Sequence, residues 1–69
     1  MVDTQLLEEE IEKSGKKKTY LAKMCNCSVQ SLRLKIKGKY EFTSSQVDVL
    51  CMELGITSLV KKEKIFFKK

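Results

Sequence analysis

Two cysteines separated by one residue, Cys25 and Cys27, are the side chains of this 69-residue sequence whose spacing first suggests chemistry. A structural zinc site needs four cysteine or histidine ligands, whereas the sequence has three cysteines and no histidine. A nucleophilic thiol needs a base beside it, and no histidine is present to serve as one. Cys51 falls on the apolar face of a predicted helix. We therefore expect Cys25 and Cys51 to be small core residues, and we expect no metal, no cofactor and no enzymatic activity.

Basic residues concentrate in the middle of the sequence. The formal net charge is +5, and no acidic residue interrupts the stretch from Lys13 to Lys39. A basic centre between acidic ends is typical of a surface that binds a polyanion, although a solvated lysine-rich surface would have the same composition. The basic residues of this stretch are Lys13, Lys16, Lys17, Lys18, Lys23, Arg33, Lys35, Lys37 and Lys39.

The length predicts one small domain over residues 1–69, which buries only about 60% of the surface that its unfolded chain exposes. No stretch approaches the roughly 18 consecutive apolar residues of a membrane span. The start of the sequence, MVDTQLLEEE, is acidic and lacks the basic flank and apolar middle of a signal peptide. We therefore expect a cytoplasmic protein with no membrane partner and no small-molecule ligand.

Capping residues and glycines divide the sequence into helices. Asp3 or Thr4 can cap a first helix that Gly15 ends, because short polar side chains accept hydrogen bonds from free N–H groups and glycine adopts the left-handed backbone. Asn26 also tolerates that backbone and ends a second helix. Ser28 caps a third helix. These three predicted helices cover residues 4–14, 17–25 and 29–37.

The C-terminal part begins with a stronger helix signal. Thr43, followed three residues later by Gln46, forms a capping box, and Gly55 closes this fourth helix. Ser58 can cap a short fifth helix, and residues 65–67 either form an extended segment or finish that helix. Apolar positions spaced three and four residues apart predict an all-α fold of four to five helices. The residues expected to face the core are Leu7, Ile11, Leu21, Ala22, Cys25, Leu32, Ile36, Val47, Leu50, Cys51 and Leu54.

Two short helices joined by a three-residue turn lie in the segment LAKMCNCSVQSLRLKIKG, residues 21–38. This segment resembles the helix-turn-helix of the lambdoid phage repressor and Cro family, of the XRE type. It is most similar to short phage-encoded regulators of Gram-positive bacteria. The resemblance covers about residues 4–56 and places the motif at about residues 17–38. It is carried by Leu21 and Ala22, Ser28, Leu32, Gly38 and Lys39, and the ELGI of residues 53–56.

Two positions depart from the family pattern. Asn26 stands where the family usually has glycine, and Lys35 stands where it usually has an apolar residue. We expect Ile36 to supply the packing that an apolar residue at position 35 would give. The resemblance implies a lambda-repressor-like domain that regulates transcription by binding double-stranded operator DNA in a bacterial cytoplasm, as a Cro-like phage or prophage repressor does.

The resemblance also implies roles for particular residues. In this family the second helix of the motif enters the major groove, where glutamine suits adenine and arginine suits guanine. Lysines on either side of the motif would then contact phosphates. The predicted base-reading residues are Val29, Gln30, Arg33 and Leu34, and the predicted phosphate contacts are Lys17, Lys18, Lys35, Lys37, Lys39, Tyr40 and Ser44.

A homodimer is expected because one short motif spans too few base pairs for high specificity. Residues 57–69 are the candidate dimerisation segment, and we predict an interface at Ile65, Phe66 and Phe67, for example by strand pairing. Alternatively, these aromatic residues fold back to complete the core. A different function also stays open, since a domain of this fold can serve as a protein-interaction module in a phage regulatory circuit. A nonspecific nucleoid-type binder is a third, less favoured reading.

Overall fold

Five α-helices and no β-strand make up residues 1–68, which are the residues that the computed structural model describes. The all-α prediction is confirmed, and the first three helices differ from their predicted bounds by one residue or less. None of these helices is long and apolar enough to cross a membrane. The helices are α1 (Thr4–Ser14), α2 (Lys18–Met24), α3 (Val29–Ile36), α4 (Ser44–Leu54) and α5 (Leu59–Phe66).

Side chains cap the N-termini of four of the five helices. Asp3, Ser28, Thr43 and Ser58 each accept a hydrogen bond from the backbone N–H group three residues further on. A cap of this kind stabilises a helix by about 1 kcal/mol. Thr4 does not cap α1. Its hydroxyl instead donates a hydrogen bond of 2.6 Å to the carbonyl oxygen at the end of α3.

Helices α2 and α3 end in the same way, by a left-handed residue and a backbone hydrogen bond that reaches back over it. Asn26 has φ of 56°, and the N–H of the next residue donates to the Ala22 carbonyl at 3.0 Å. Gly38 has φ of 83°, and the N–H of Lys39 donates to the Leu34 carbonyl at 2.9 Å. This is the Schellman arrangement. It makes the turn between α2 and α3 tight, as the asparagine predicted.

The core lies where α1 contacts α3, α4 and α5, and where α2 contacts α3 and α4. Every residue expected to face the core is buried except Leu54, which is half-buried at the end of α4. Ile36 is buried and Lys35 is half-buried, so the isoleucine supplies the packing, as expected. Cys25 and Cys51 are buried, and burial raises the pKa of the Cys25 thiol to about 11. Both behave as small apolar residues.

The C-terminal segment is helical up to Phe66, which corrects the predicted strand and, for Ile65 and Phe66, the predicted interface. Ile65 and Phe66 are 1% and 4% exposed, so they complete the core of the chain. The Phe66 ring packs edge-on against Phe42, with 5.7 Å between centroids. The predicted strand pairing is wrong because the backbone N–H and C=O groups that a strand would use already form the helical hydrogen bonds of α5. Of the three residues only Phe67 is exposed, at 55%.

Candidate functional site

Helix α3 presents one side to solvent while its other side packs on the core. Gln30 and Arg33 are exposed and lie about one turn apart on the same side of the helix. Val29 and Leu34 are half-buried, and Val29 also packs against the core. Of the four residues predicted to read bases, the two with polar side chains, Gln30 and Arg33, are therefore the two that are exposed.

Apart from Lys35, the basic residues around α2 and α3 divide into two sets. One set pairs with carboxylates. The other set has no carboxylate oxygen within 4.0 Å among residues 1–68, and its members are exposed. We call this second set the unpaired basic set, and it comprises Lys17, Lys23, Arg33, Lys37 and Lys39.

The paired set lies before or at the start of α2. Lys18, a predicted phosphate contact, has its Nζ 2.9 Å from a carboxylate oxygen of Glu8 on α1. Lys13 lies 3.7 Å from Glu10 on the same helix. Three of the four lysines in this part of the sequence are thus paired with acids from α1 and α4, and Lys17 is not. The sequence predicted the basic stretch but gave no sign of these partners.

Lys16, Tyr20 and Glu53 form a cluster that joins the start of α2 to the end of α4. The Lys16 Nζ donates to the Glu53 side chain at 2.8 Å and to its carbonyl oxygen at 2.7 Å. The Tyr20 hydroxyl donates to the same carboxylate at 2.9 Å. Hydrogen bonds from Lys16 and then Tyr20 lower the pKa of Glu53, and the bond to Glu53 raises the pKa of Lys16.

Lys35 differs from the predicted phosphate contacts after α3, which are exposed, because it is half-buried and bonded within the chain. Its Nζ donates a hydrogen bond of 2.7 Å to the side-chain oxygen of Gln46, which is 9% exposed. The nitrogen of the same amide donates to the Cys25 carbonyl at 3.2 Å. Gln46 was predicted as a capping residue, and its links to α2 and α3 were not. The one sign of these links in the sequence was Lys35, which stands at a position where the resembled family usually has an apolar residue.

Tyr40 and Ser44, the two predicted phosphate contacts without a charge, are both exposed. Ser44 is the first residue of α4, where the backbone N–H groups are free of helical partners. Tyr40 is 60% exposed and lines a small cavity together with Met1 and Phe67. The loop after α3 therefore lies beside the C-terminal end of α5.

No group of three or more histidine, cysteine or acidic residues that could hold a metal ion exists in the part of the chain that the structure describes. A scan against protein-family models and searches of curated proteins and of solved structures found no match to this chain.

Proposed function

We propose that this chain is a sequence-specific, double-stranded-DNA-binding regulator of transcription that inserts α3 into the major groove, as Cro-like repressors of lambdoid phages do. The observation that carries the proposal is the surface of α3. Gln30 and Arg33 are exposed one turn apart, and the other members of the unpaired basic set lie before and after them in the sequence.

Gln30 and Arg33 have the chemistry for reading bases. The glutamine amide can pair with adenine through two hydrogen bonds, and the guanidinium group can do the same with guanine. Val29 and Leu34, which are half-buried, can contact a thymine methyl group with the part that stays exposed. Each good bidentate contact discriminates against the wrong base by about 1–3 kcal/mol.

Phosphate contacts are assigned to Lys17 before α2, to Lys37 and Lys39 after α3, and to the polar groups of Tyr40 and Ser44. Lys18 can contribute only by leaving Glu8. Lys35 is left out because its ammonium group is held by Gln46. With about three lysine contacts to phosphate and a contribution from Arg33, raising the salt concentration from 50 to 200 mM would weaken DNA binding by about a hundredfold.

A second copy of the chain is the partner proposed for three exposed apolar residues of α4 and α5. Met52, Leu59 and Val60 are 77%, 73% and 64% exposed, and we call them the α4–α5 patch. The adjacent Lys61 and Lys62 are ion-paired with Glu10 and Asp48 of their own chain, which reduces repulsion between two copies. Three side chains cover much less than the roughly 800 Å² per partner of a stable interface. We therefore propose a weak homodimer that forms on DNA with two half-sites.

Selection from a pool of random duplexes tests the proposed function. The proposed function requires that one sequence be enriched, and symmetry of that sequence would support the dimer. Arg33→Ala should relax the preference at one base pair, whereas Lys17→Ala should weaken binding to all duplexes about equally. Enrichment of no sequence by the wild-type protein would overturn the proposal.

A protein-interaction module is the second candidate function, favoured by the exposed α4–α5 patch and by the part of Leu34 that is exposed on α3. In this case the partner would be a host or phage protein, and DNA would not compete for it. The two functions are distinguished first by the selection, because a protein-interaction module enriches no duplex. If a duplex is enriched, Met52→Asp should weaken its binding at low protein concentration only when the α4–α5 patch makes the dimer, and should leave it unchanged when the patch binds another protein.

A further inference from the structure

We infer that Gln46 is a positioning residue that holds α3 in the orientation in which Gln30 and Arg33 reach the bases. The inference rests on the proposed function. It comes from the side-chain amide of Gln46, which bonds to the end of α2, to α3 and to the N-cap residue of its own helix, α4.

The bond to α2 satisfies a group that the helix itself leaves free. Cys25 is the C-terminal cap of α2, and its carbonyl oxygen lies beyond the last helical hydrogen bonds. The Gln46 Nε2 donates to this oxygen at 3.2 Å in a buried environment. A buried carbonyl without a partner is unfavourable, so this bond favours one placement of α4 against the turn that leads into α3.

The bond to α3 comes from Lys35, two residues after Arg33. The Lys35 Nζ lies 2.7 Å from the Gln46 Oε1, and the same oxygen accepts the Thr43 backbone N–H at 3.1 Å. A single oxygen thus links the capping box of α4 to the C-terminal half of α3. Because the Thr4 hydroxyl also binds the last carbonyl of α3, that half is fixed from two sides and the exposed residues before it are oriented accordingly.

Gln46→Glu is the sharpest test because it removes the one donor and keeps an acceptor for both Lys35 and Thr43. A glutamate at this position of a capping box still accepts the Thr43 N–H, and its carboxylate can still accept from Lys35. The donor to the Cys25 carbonyl is lost. Gln5→Glu is the matched control, since Gln5 is exposed on α1 and the substitution changes the net charge equally.

The measurement is the ratio of affinities for the duplex enriched by selection and for a scrambled duplex of the same composition, made on the full chain where thermal unfolding shows it folded. For Gln46→Glu we expect the ratio to fall about tenfold, the loss of roughly one bidentate contact. The salt dependence of binding should not change. For Gln5→Glu the ratio should equal that of the wild type. A residue with only a structural role would lower the unfolding temperature and leave the ratio unchanged.

Lys35→Met tests the same link from the other side, and it decides the question if Gln46→Glu does not fold. The expected result is a lower ratio with an unchanged salt slope, against the control Lys64→Met on the exposed surface of α5. If Lys35 contacts phosphate instead, both duplexes weaken equally and the salt slope falls by about 1. That outcome would overturn the inference.

The failure of the inference and that of the proposed function give different results. If the wild type prefers one sequence and the folded Gln46 and Lys35 variants keep the same ratio, only the role of Gln46 is overturned. If the wild type prefers no sequence, the proposed function fails, and the role of Gln46 in base reading fails with it.

Discussion

The two sides of the basic centre look alike in sequence and differ in structure. Of the four lysines before and at the start of α2, Lys17 has no carboxylate partner in residues 1–68, and the other three, Lys13, Lys16 and Lys18, each lie within 4.0 Å of a glutamate oxygen. After α3, Lys37 and Lys39 are exposed and have no such partner in residues 1–68. The positive field of a run of lysines therefore depends on acids that are distant in sequence and close in space, because a neighbouring carboxylate offsets a charge that the composition counts in full.

The largest expected effect comes from removing the two lysines after α3. For Lys37→Gln with Lys39→Gln we expect DNA affinity to fall more than about tenfold and the salt slope to fall by about 1.8, because two phosphate contacts are lost. Binding titrations from low to high salt measure both quantities.

The matched control for this pair is Lys13→Gln with Lys16→Gln, which removes the same charge from the paired side. Its salt slope should stay close to the wild-type value because those lysines are not assigned to phosphates. Equal losses in the two double variants would show that only net charge matters, and the distinction between the two sides would be wrong.

A smaller effect is expected from releasing Lys18. Glu8→Gln removes the carboxylate 2.9 Å from the lysine ammonium group, so Lys18 becomes available to a phosphate. We expect DNA affinity to rise and the salt slope to steepen by up to about 0.9. Glu9→Gln is the control, because Glu9 is the exposed neighbour and has no ion pair within residues 1–68. A similar rise in both variants would argue against masking by Glu8.

The smallest effect concerns stability rather than binding. The pKa of Glu53 is lowered in the folded chain by its hydrogen bonds from Lys16 and Tyr20. Its stabilising contribution is therefore complete above the pKa of the unfolded chain and is lost as the pH falls through the folded pKa. We expect acidification below about pH 4 to lower the unfolding temperature of the wild type more than that of Glu53→Gln.

Glu63→Gln on α5 is the control for this measurement, since Glu63 is exposed and has no ion pair within the described chain. Its unfolding temperature should follow the wild-type curve at every pH. If the Glu53→Gln curve runs parallel to that of the wild type down to pH 3, the cluster does not contribute through the ionised carboxylate.

Local features of the fold could be predicted from sequence because their causes are local. Ser28 caps α3, Thr43 and Gln46 form the capping box of α4, and Asn26 takes the left-handed backbone. Each depends on residues within one turn of one another. The buried side of α3 followed from the spacing of Leu32 and Ile36, whereas the outward position of Gln30 and Arg33 was expected from the resemblance.

Contacts between helices could not be predicted in this way. Lys16 and Glu53 are 37 residues apart, and Gln46 and Cys25 are 21 apart, so their pairing depends on how the helices pack. The C-terminal apolar residues left two outcomes open, because a hydrophobic pattern does not tell whether a side chain is covered by its own chain or by another. Packing of Phe66 on Phe42 decides for its own chain.

The backbone bonds that end α2 and α3 have a consequence for how this chain can diverge. Both stops are made by main-chain groups around Asn26 and Gly38, and neither uses the side chains of Gln30 or Arg33. Substituting Gln30 and Arg33 would therefore leave the hydrogen bonds that end both helices intact. Under the proposed function, descendants of this chain could come to bind a different DNA sequence through a few substitutions on α3, while the fold that presents those residues stays the same.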